Sequence, residues 1–381
     1  MSSRYDYIIA GAGAAGLSLL IRMIDSGKFQ NNKILVIDRA PKTINDRTWC
    51  YWEQGDGFFE DIVYHKWEKL FFYSNVFSSP LKINPYRYKM IRGIDFYNWC
   101  FDKIGQQINI DIRFGDCRFQ NDSNGELKIY IDDDEILVDD AVVFNSISNN
   151  KESKKNTVDL LQHFKGWIIE TKDAVFDSDT ATLMDFRVSQ NLGTTFVYVM
   201  PLTSNKALVE YTLFTEAILK KEQYEIALKD YILNFLKISN YNIIEEEFGI
   251  IPMTNAQFPF YKNGMYHIGK TGGQTKASTG YTFQFIQKQS QQIINCLIEN
   301  KPLHQLSGIK SRFNFYDGVL LQLLSDKKLG NGAIFTRLFQ KNKASKIFKF
   351  LDNETSVMEE ARLMVSLQIP PFFKAALNQL F

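Results

Sequence analysis

A glycine-rich turn between an apolar segment and a helical one constrains the fold more than any other feature of this sequence. Residues 7–10 (YIIA) predict a buried strand, and residues 17–24 carry the 3.6-residue apolar repeat of a helix. Between them lie Gly11, Gly13 and Gly16. At this spacing the first glycine makes the turn, the second lets the backbone approach a pyrophosphate, and the third lets the helix pack on the strand. The pattern predicts the opening βαβ unit of a nucleotide-binding α/β lobe, with phosphates at the helix N-terminus.

A second apolar strand supports this prediction. Residues 33–39 (KILVIDR) place Asp38 at the end of that strand, roughly 20 residues beyond the last glycine, where an acidic side chain would hold the ribose hydroxyls. The glycine motif alone is weak evidence, but its combination with the acidic strand end favours an adenine dinucleotide, either FAD or NAD. We expect Ala15 in the turn and Arg39 beyond the strand to contribute to the same site.

A second glycine-rich segment bears on the choice between FAD and NAD. Residues 266–297 contain a short strand, a group of glycines and a helix pattern that runs to Asn300; the glycines are Gly269, Gly272, Gly273 and Gly280. A second glycine loop that leads into a helix N-terminus suits a cofactor with an extended second half, as a flavin has. A nicotinamide site is normally completed within one continuous domain. The sequence therefore favours FAD.

Composition excludes several classes of function. The chain of 381 residues has 44 basic and 43 acidic residues, so there is no overall field that would attract nucleic acid. Its 4 cysteines are too scattered for a disulfide framework or a zinc site, and we expect a reducing, cytoplasmic environment and no metal. No signal peptide or membrane span is recognised. Aromatic residues make up 14% of the chain, which fits either an aromatic core or a cavity for a large apolar or cationic ligand.

The order of the patterns predicts two lobes in a mixed α/β (α+β) chain. Residues 1–150 form the first part of the nucleotide-binding lobe, and residues 151–254 carry strand signals rich in β-branched and aromatic residues, typical of an antiparallel substrate lobe. Residues 255–305 return to the nucleotide-binding lobe, and residues 306–381 have helical patterns. The polar stretch 149–157 (NNKESKKNT) marks the lobe boundary.

Within the helical tail, residues 334–351 combine many apolar residues with several basic residues and no acidic one. A basic amphipathic helix pair of this kind can lie on an anionic membrane surface. It can equally pack its apolar side on the core of the protein and expose its basic side to solvent.

Two further segments are candidates for chemistry. In residues 206–216 (KALVEYTLFTE), strand alternation places Glu210 on the same face as Leu208 and Thr212. Burial of Glu210 would raise its pKa and keep it protonated, as a general acid requires, whereas the strand pattern alone favours a solvent-facing glutamate. Residues 45–52 (NDRTWCYW) would either cover a flavin ring, with Arg47 near the cofactor, or form a buried aromatic loop.

A family resemblance covers most of the chain, from about Tyr7 to at least Leu351. Its motifs, in order, are IIAGAGAAGLS, NDRTWCYW, QHFKGWIIET, ATLMDFRV, FVYVMPLTSNKALVEYTLF and GKTGGQTKASTGYTF. Together they resemble the bacterial-type lycopene beta-cyclases of carotenoid synthesis. The resemblance implies a flavoprotein with the fold of the FAD-dependent hydroxylases. It also implies conversion of lycopene to beta-carotene through the monocyclic gamma-carotene, with no net redox change.

The resemblance also implies which residues act. The essential acid of the family lies in a strand motif that reads Leu-Glu-Glu-Thr in plant members, and Val209-Glu210-Tyr211-Thr212 matches it here. Glu210 would therefore be the acid, and because Tyr211 replaces the second glutamate, the match implies a single acid and speaks against a two-carboxylate mechanism. Reduced FAD, NAD(P)H as its indirect electron source, and a peripheral position on the cytoplasmic membrane are further implications. Two alternatives stay open: an FAD-dependent monooxygenase acting on a large apolar substrate, and a carotenoid-binding protein without activity.

Overall fold

The computed structural model describes residues 4–138, 140–147, 157–306, 311–326, 332–367 and 375–376. Its strands are β1 (Tyr7–Ala10), β2 (Ile34–Asp38), β3 (Thr48–Gln54), β4 (His65–Trp67), β5 (Lys69–Tyr73), β6 (Ser78–Leu81), β7 (Tyr86–Arg92), β8 (Ile110–Phe114), β9 (Cys117–Asn121), β10 (Leu127–Ile131), β11 (Asp134–Ile136), β12 (Val142–Asn145), β13 (Asp159–Glu170), β14 (Thr180–Asp185), β15 (Thr194–Pro201), β16 (Lys206–Thr215), β17 (Asn242–Thr254), β18 (Tyr261–Lys262) and β19 (Met265–His267). Its α-helices are α1 (Ala14–Ser26), α2 (Gly93–Ile104), α3 (Lys221–Asn234), α4 (Phe283–Ile298), α5 (Ser311–Ser325), α6 (Ala333–Lys341), α7 (Ala344–Leu351) and α8 (Val357–Leu367).

The predicted βαβ unit opens a six-stranded sheet with the order β18-β19-β12-β1-β2-β8. β1 pairs in parallel with both β2 and β12, which places Ile9 beside Val36 and Phe144. The strands are apolar on both sides because both faces of the sheet are covered. Helices α1 and α4 pack on one face, and the small sheet β11-β10-β9 packs on the other.

The second large sheet has seven strands in the order β17-β13-β16-β15-β14-β5-β6. Its pairs are antiparallel except for β14 with β5. β5 and β6 belong to the range 1–150, which the sequence division assigned to the nucleotide-binding lobe. The strand signals between residues 164 and 253 thus predict most of this sheet, but it takes its last two strands from an earlier part of the chain.

The two faces of the seven-stranded sheet are covered by different elements. α3 packs on one face, and α6, α7 and the three-stranded sheet β3-β7-β4 pack on the other. The apolar side chains of the basic segment 334–351 point into this second core, among them Ile334, Phe335, Phe339 and Phe348. Of the two interpretations of the segment, the structure therefore supports packing on the protein's own core.

Some elements differ from their sequence predictions. The predicted loop 41–55 contains β3, whose side chains alternate between the core of the six-stranded lobe (Trp49, Tyr51) and the core beneath the seven-stranded sheet (Cys50, Trp52). The aromatic run is therefore a buried strand and not a buried loop. The polar boundary 149–157 lies outside the described residues except for Thr157, as do residues 307–310, 327–331, 368–374 and 377–381 of the helical tail.

Candidate active site

The glycine-rich turn has the close packing that its spacing predicts. Gly11 has a φ of +105°, which L side chains rarely adopt, and a Cβ on Gly16 would lie 1.9 Å from the carbonyl oxygen of Gly11. α1 can therefore approach β1 closely only because both positions lack a side chain.

Gly13 differs from its two neighbours because it faces open space. It is the N-cap residue of α1, and a Cβ built on it would meet no atom of the described residues within 4 Å. No side chain of the described residues forms a capping hydrogen bond at the N-terminus of α1. The first N–H groups of α1 thus face a space that a pyrophosphate would fit.

Asp38 lies beside this turn, with only 8% of its surface exposed. Its Oδ2 accepts a hydrogen bond of 2.7 Å from the N–H of Ala12, and its Oδ1 accepts one of 2.9 Å from Nζ of Lys42. The carboxylate of Asp38, at the end of β2, therefore lies against the glycine-rich turn, as the spacing predicts.

Two further cationic groups lie near the glycine-rich turn. Arg47 pairs with Asp46 at 2.9 Å and lies within electrostatic reach of Asp38, and Lys270 lies within reach of Arg47. Arg39 follows β2 and is exposed. The positive groups around the turn suit a bound diphosphate.

The second glycine-rich segment rests on the first. A Cβ on Gly269, which has a φ of +61°, would lie 2.5 Å from Cβ of Ala15 in α1. A Cβ on Gly272 would lie 2.0 Å from the carbonyl oxygen of His267. The structure therefore brings the two glycine motifs, which are far apart in sequence, against each other.

The same segment then leads to the seven-stranded sheet. Gly273 packs against Phe258, and a Cβ on Gly280 would lie 2.3 Å from Oε1 of Gln162 in β13. α4 begins shortly afterwards at Phe283. Gly280 thus lies at the sheet and not at the nucleotide turn, so the predicted cofactor residues span the distance between the two lobes.

A pair of glutamates meets over a glycine in the seven-stranded sheet. In the strand register, Gly166 of β13 lies opposite Glu210 of β16 on one side and opposite Glu247 of β17 on the other. A Cβ on Gly166 would lie 2.9 Å from Cγ and 3.0 Å from Oε1 of Glu247. The side chain of Glu247 therefore folds over the glycine, and its carboxyl group is hydrogen-bonded to that of Glu210.

Both carboxyl groups have raised pKa values. Burial raises the pKa of Glu210 well above its ordinary value, and the charge of Glu247 adds to this, although the hydroxyl of Thr212 donates a hydrogen bond of 2.9 Å to Glu210 and opposes the shift. Burial of its inward-turned carboxyl likewise raises the pKa of Glu247, against hydrogen bonds with Glu210 and Thr48. Burial therefore disfavours the charged form of each carboxyl group.

The solvent-facing alternative for Glu210 is therefore wrong, because only 9% of its surface is exposed. Alternation in β16 is as predicted: Leu208 lies in the core beneath Glu210, and Val209 and Tyr211 lie in the core on the opposite face. Both faces of β16 are buried: α3 covers the face of Val209 and Tyr211, and the core that includes residues of β3, α6 and α7 covers the face of Glu210.

The second carboxyl comes from a strand that the sequence analysis did not consider. Tyr211 leaves β16 with one glutamate, but Glu247 supplies another from β17, two strands away. The signal lay in residues 242–249 (NIIEEEFG), where alternation puts Glu245 and Glu247 on one face. Which strand that face meets could be decided only from the pairing of β17 with β13.

An apolar cleft lies between the seven-stranded sheet and the C-terminal helices, and neither Glu210 nor Glu247 is among the residues that line it. Aromatic rings line much of it: Trp52, Tyr281, Phe335, Phe339, Phe348 and Phe350. Asp317, a charged residue of the lining, is neutralised by Lys276 at 2.8 Å.

Tyrosine hydroxyls connect this cleft with the carboxyl pair. Tyr281 lines the cleft and is hydrogen-bonded to Tyr88 at 2.9 Å and to Tyr198. Tyr198 lies beside Glu210 in the register of β15 and β16, and the charge of Glu210 acts on both Tyr198 and Tyr281. A substrate in the cleft would therefore meet an aromatic wall on the side of the acid.

Comparison with solved structures defines the class of fold. A flavin-dependent brominase, Bmp2 in triple-mutant form, has a TM-score of 0.61 at 11% identity, over 96% of this chain and 99% of its own. A flavoprotein/dehydrogenase from Cytophaga hutchinsonii has a TM-score of 0.61 at 11% identity, over 96% and 99%. A geranylgeranyl bacteriochlorophyll reductase-like protein from Thermoplasma acidophilum has a TM-score of 0.58 at 13% identity, over 97% and 98%. At these identities the likeness is one of fold, and it confirms the predicted FAD-dependent hydroxylase architecture.

Comparison with protein families is more specific. The model described as lycopene cyclase protein matches residues 6–377. The chain therefore belongs to the lycopene cyclase family, as its motifs predicted. A search of curated proteins gave no match. In the ranges that the structure describes, none of the helices has the length and apolar character needed to cross a bilayer.

Proposed function

We propose that this protein is a lycopene beta-cyclase, which converts lycopene to beta-carotene through gamma-carotene without net redox change. The observation that carries the proposal is the buried Glu210, whose raised pKa suits a proton donor and which is connected through Tyr198 and Tyr281 to an aromatic-lined apolar cleft. Family membership supports the substrate, and the site supports an acid-initiated reaction on it.

Lycopene has no polar group, so its binding must come from apolar area. Burial of apolar surface contributes ~25 cal/mol per Å², and a long hydrocarbon provides a large area. The cleft suits this role because its lining is aromatic and aliphatic and its buried charge, Asp317, is paired with Lys276.

Glu210 would start the reaction as a general acid. Its O–H bond breaks as a C–H bond forms at the terminal double bond, which leaves a tertiary carbocation on the substrate. A neighbouring double bond attacks this cation and closes a six-membered ring, and loss of a proton from a ring carbon restores a double bond. The Glu210 carboxylate takes up this proton, so the acid is regenerated and no oxidant or reductant is consumed.

We further propose that FAD is the cofactor, in its reduced form, with NAD(P)H as the indirect electron source. The open space over Gly13, the carboxylate of Asp38 and the cations Lys42 and Arg47 fit its dinucleotide, and the segment 269–280 would support its second half. When bound, reduced flavin supplies an electron-rich ring system that stabilises nearby positive charge.

Peripheral attachment to the cytoplasmic face of the membrane belongs to the proposal, because lycopene dissolves in bilayers. The exposed lysines Lys341, Lys343 and Lys346 support it, since basic groups are attracted to anionic lipid. The protein should co-sediment with anionic vesicles, and salt should weaken this. Equal binding to neutral vesicles, or retention of all binding in the triple variant with these lysines changed to glutamine, would contradict the electrostatic attachment.

The substitution Glu210→Gln tests the reaction. It keeps size and hydrogen bonding but removes the acid, so cyclisation should fall by ~10²-fold or more while FAD remains bound. Beta-carotene formation and flavin content should be measured on the same preparation, with Glu216→Gln as a matched control because Glu216 is exposed just beyond β16. Near-normal product from Glu210→Gln would remove Glu210 from the mechanism.

Oxygen consumption separates the cyclase from a monooxygenase. A cyclase gives a product of unchanged mass and uses no oxygen, whereas a monooxygenase consumes oxygen and reductant with each turnover. Expression in cells that accumulate lycopene also separates both from a binding protein, which would retain pigment without forming a new product. Oxygen uptake in step with product would overturn the proposal.

A further inference from the structure

Helix α8 has apolar side chains on two opposite faces. Leu363 and Leu367 are buried, and together with Met364 they line the cleft. Met358 and Val365 lie on the other side of the helix and are 65% and 66% exposed. A helix that only covers the cleft would carry polar residues on its outer side, so the second apolar face requires its own explanation.

We infer that the outer face of α8 enters the surface of an anionic lipid bilayer, with Met358 and Val365 among the acyl chains. The inference rests on the proposed function, in which lysines attach the protein to the membrane, and it adds an apolar contact to that attachment. Because the inner face of α8 lines the cleft, the cleft would lie one helix away from the bilayer in which lycopene dissolves.

The exposed apolar residues of α8 form one stripe. Met358 and Val365 are seven residues apart, which is about two helical turns, and the exposed Ala361 lies between them. Residues at this spacing share a face of a helix, so all three can contact a flat surface at once. Helices that lie in the membrane interface bind through a face of this kind.

The turn between α6 and α7 brings basic groups to one end of this stripe. Nδ2 of Asn342 donates a hydrogen bond of 2.8 Å to Oγ of Ser366, which follows Val365 in α8. Asn342 lies between Lys341 and Lys343, and both lysines are exposed. The apolar stripe is therefore continuous with a cationic edge that suits anionic headgroups.

The charges of α8 itself agree with this orientation. Arg362 is exposed, and its Nη2 lies 3.5 Å from Sδ of Met358. The two acidic side chains of the helix are turned away from the stripe, since Glu359 pairs with Lys349 at 2.9 Å and Glu360 is fully buried. The outer face thus combines apolar side chains with a cation.

Helix α3 carries a similar apolar pair without these surroundings. Its Ile226 and Leu233 are also seven residues apart and are 67% and 53% exposed. Exposed charges of both signs lie beside them, including Lys229 and Asp230, so an anionic surface gains no net attraction there. α3 also packs on the face of the seven-stranded sheet opposite to α6 and α7. The pair on α3 is therefore a matched control.

Vesicle binding tests the surface. Changing Met358→Gln together with Val365→Gln keeps good helix-forming residues but removes the apolar stripe. Binding to vesicles of phosphatidylcholine and phosphatidylglycerol should therefore fall roughly 30- to 100-fold in co-sedimentation. The control, Ile226→Gln with Leu233→Gln, should bind as the wild type does.

Two outcomes of this experiment would overturn the inference. The first is equal binding by the two double variants. The second is unchanged vesicle binding in the α8 variant together with conversion of a wild-type dimer into a monomer, which would assign the stripe to a second copy of the chain.

Fluorescence quenching reports insertion without reference to activity. A tryptophan introduced by Val365→Trp should be quenched by brominated acyl chains in the vesicles, beyond the quenching of the native tryptophans in the wild type. Ile226→Trp should add no quenching. The same result for Val365→Trp would overturn the inference.

The way in which lycopene is supplied separates docking from catalysis. With lycopene in vesicles, the α8 double variant should have a raised KM and an unchanged kcat, because neither Met358 nor Val365 lines the cleft. With lycopene in detergent micelles its kinetics should equal those of the wild type, and an equal loss in micelles would overturn the inference. If α8 binds vesicles as expected but the wild-type protein forms no beta-carotene, the proposed function fails while the membrane surface stands.

Discussion

The glycine-rich turn and the carboxyl pair both depend on a glycine that makes room for another group. They differ in how far apart in the sequence the glycine and that group lie. At the turn, Gly16 makes room for the carbonyl of Gly11, within the same short motif. In the sheet, Gly166 makes room for Glu247, which approaches Glu210 from a different strand. The first arrangement is visible as spacing in the sequence, whereas the second exists only through strand register.

The largest effects should come from the turn, where two glycines with similar places in the motif have opposite surroundings. Gly16→Val should prevent the nucleotide lobe from folding, because its Cβ would overlap the carbonyl oxygen of Gly11 at 1.9 Å. Gly13→Val should give a folded protein that lacks FAD and activity, because the new side chain fills the open space over α1. Circular dichroism and flavin absorbance on purified protein would separate the two outcomes.

If Gly13→Val retained full flavin, the open space over Gly13 would not be the pyrophosphate site. If Gly16→Val folded with normal stability, close approach of α1 and β1 would not be what requires that glycine. Either result would contradict the distinction between Gly16, which is closely packed, and Gly13, which faces open space.

An intermediate effect is expected at Gly166. In Gly166→Ala the new Cβ would lie 2.9 Å from Cγ of Glu247 and 3.0 Å from Cδ1 of Leu208, so both must shift by a few tenths of an ångström. We expect a fall in kcat of roughly 10-fold, since small misplacements of catalytic groups are costly, and a loss of stability of about 1 kcal/mol.

Gly105→Ala is a suitable control, because its nearest contact would be an ordinary 3.4 Å. Cyclase rate and denaturant unfolding should be measured for both variants. Equal rates in the two variants would show that the carboxyl pair does not depend on the space over Gly166.

The most gradual effect is a change of stability with pH. The folded-state pKa of Glu210 is raised above the ordinary value of 4.5, so above about that pH the unfolded chain releases a proton that the folded protein retains. This contribution to stability is therefore fully present below the ordinary pKa and is lost as pH rises through the folded-state pKa, by about 1.4 kcal/mol per pH unit. Urea unfolding at acidic and alkaline pH should show a smaller alkaline loss in Glu210→Gln than in the wild type. Parallel pH profiles would contradict a raised pKa.

These contrasts show which parts of the molecule could be predicted from its sequence. β1, α1, β2 and the position of Asp38 follow from local apolar periods and glycine spacing, and the orientation of Glu210 follows from alternation within β16. Glu247 could not be assigned in this way, because its place beside Gly166 depends on the pairing of β17 with β13, two strands that lie far apart in the sequence. The burial of Glu210 also depends on covering elements far away in sequence, and a single strand gives no indication of them.

The order of strands in the six-stranded sheet has a consequence for synthesis on the ribosome. β19, which pairs with β12, and α4, which packs on α1, are translated only after the whole seven-stranded sheet. The nucleotide-binding lobe is therefore the first to be synthesised in part, but its six-stranded sheet cannot be completed until the seven-stranded sheet has left the ribosome. A nascent chain should expose the apolar surface of α1 throughout that interval and acquire flavin only near the end of translation.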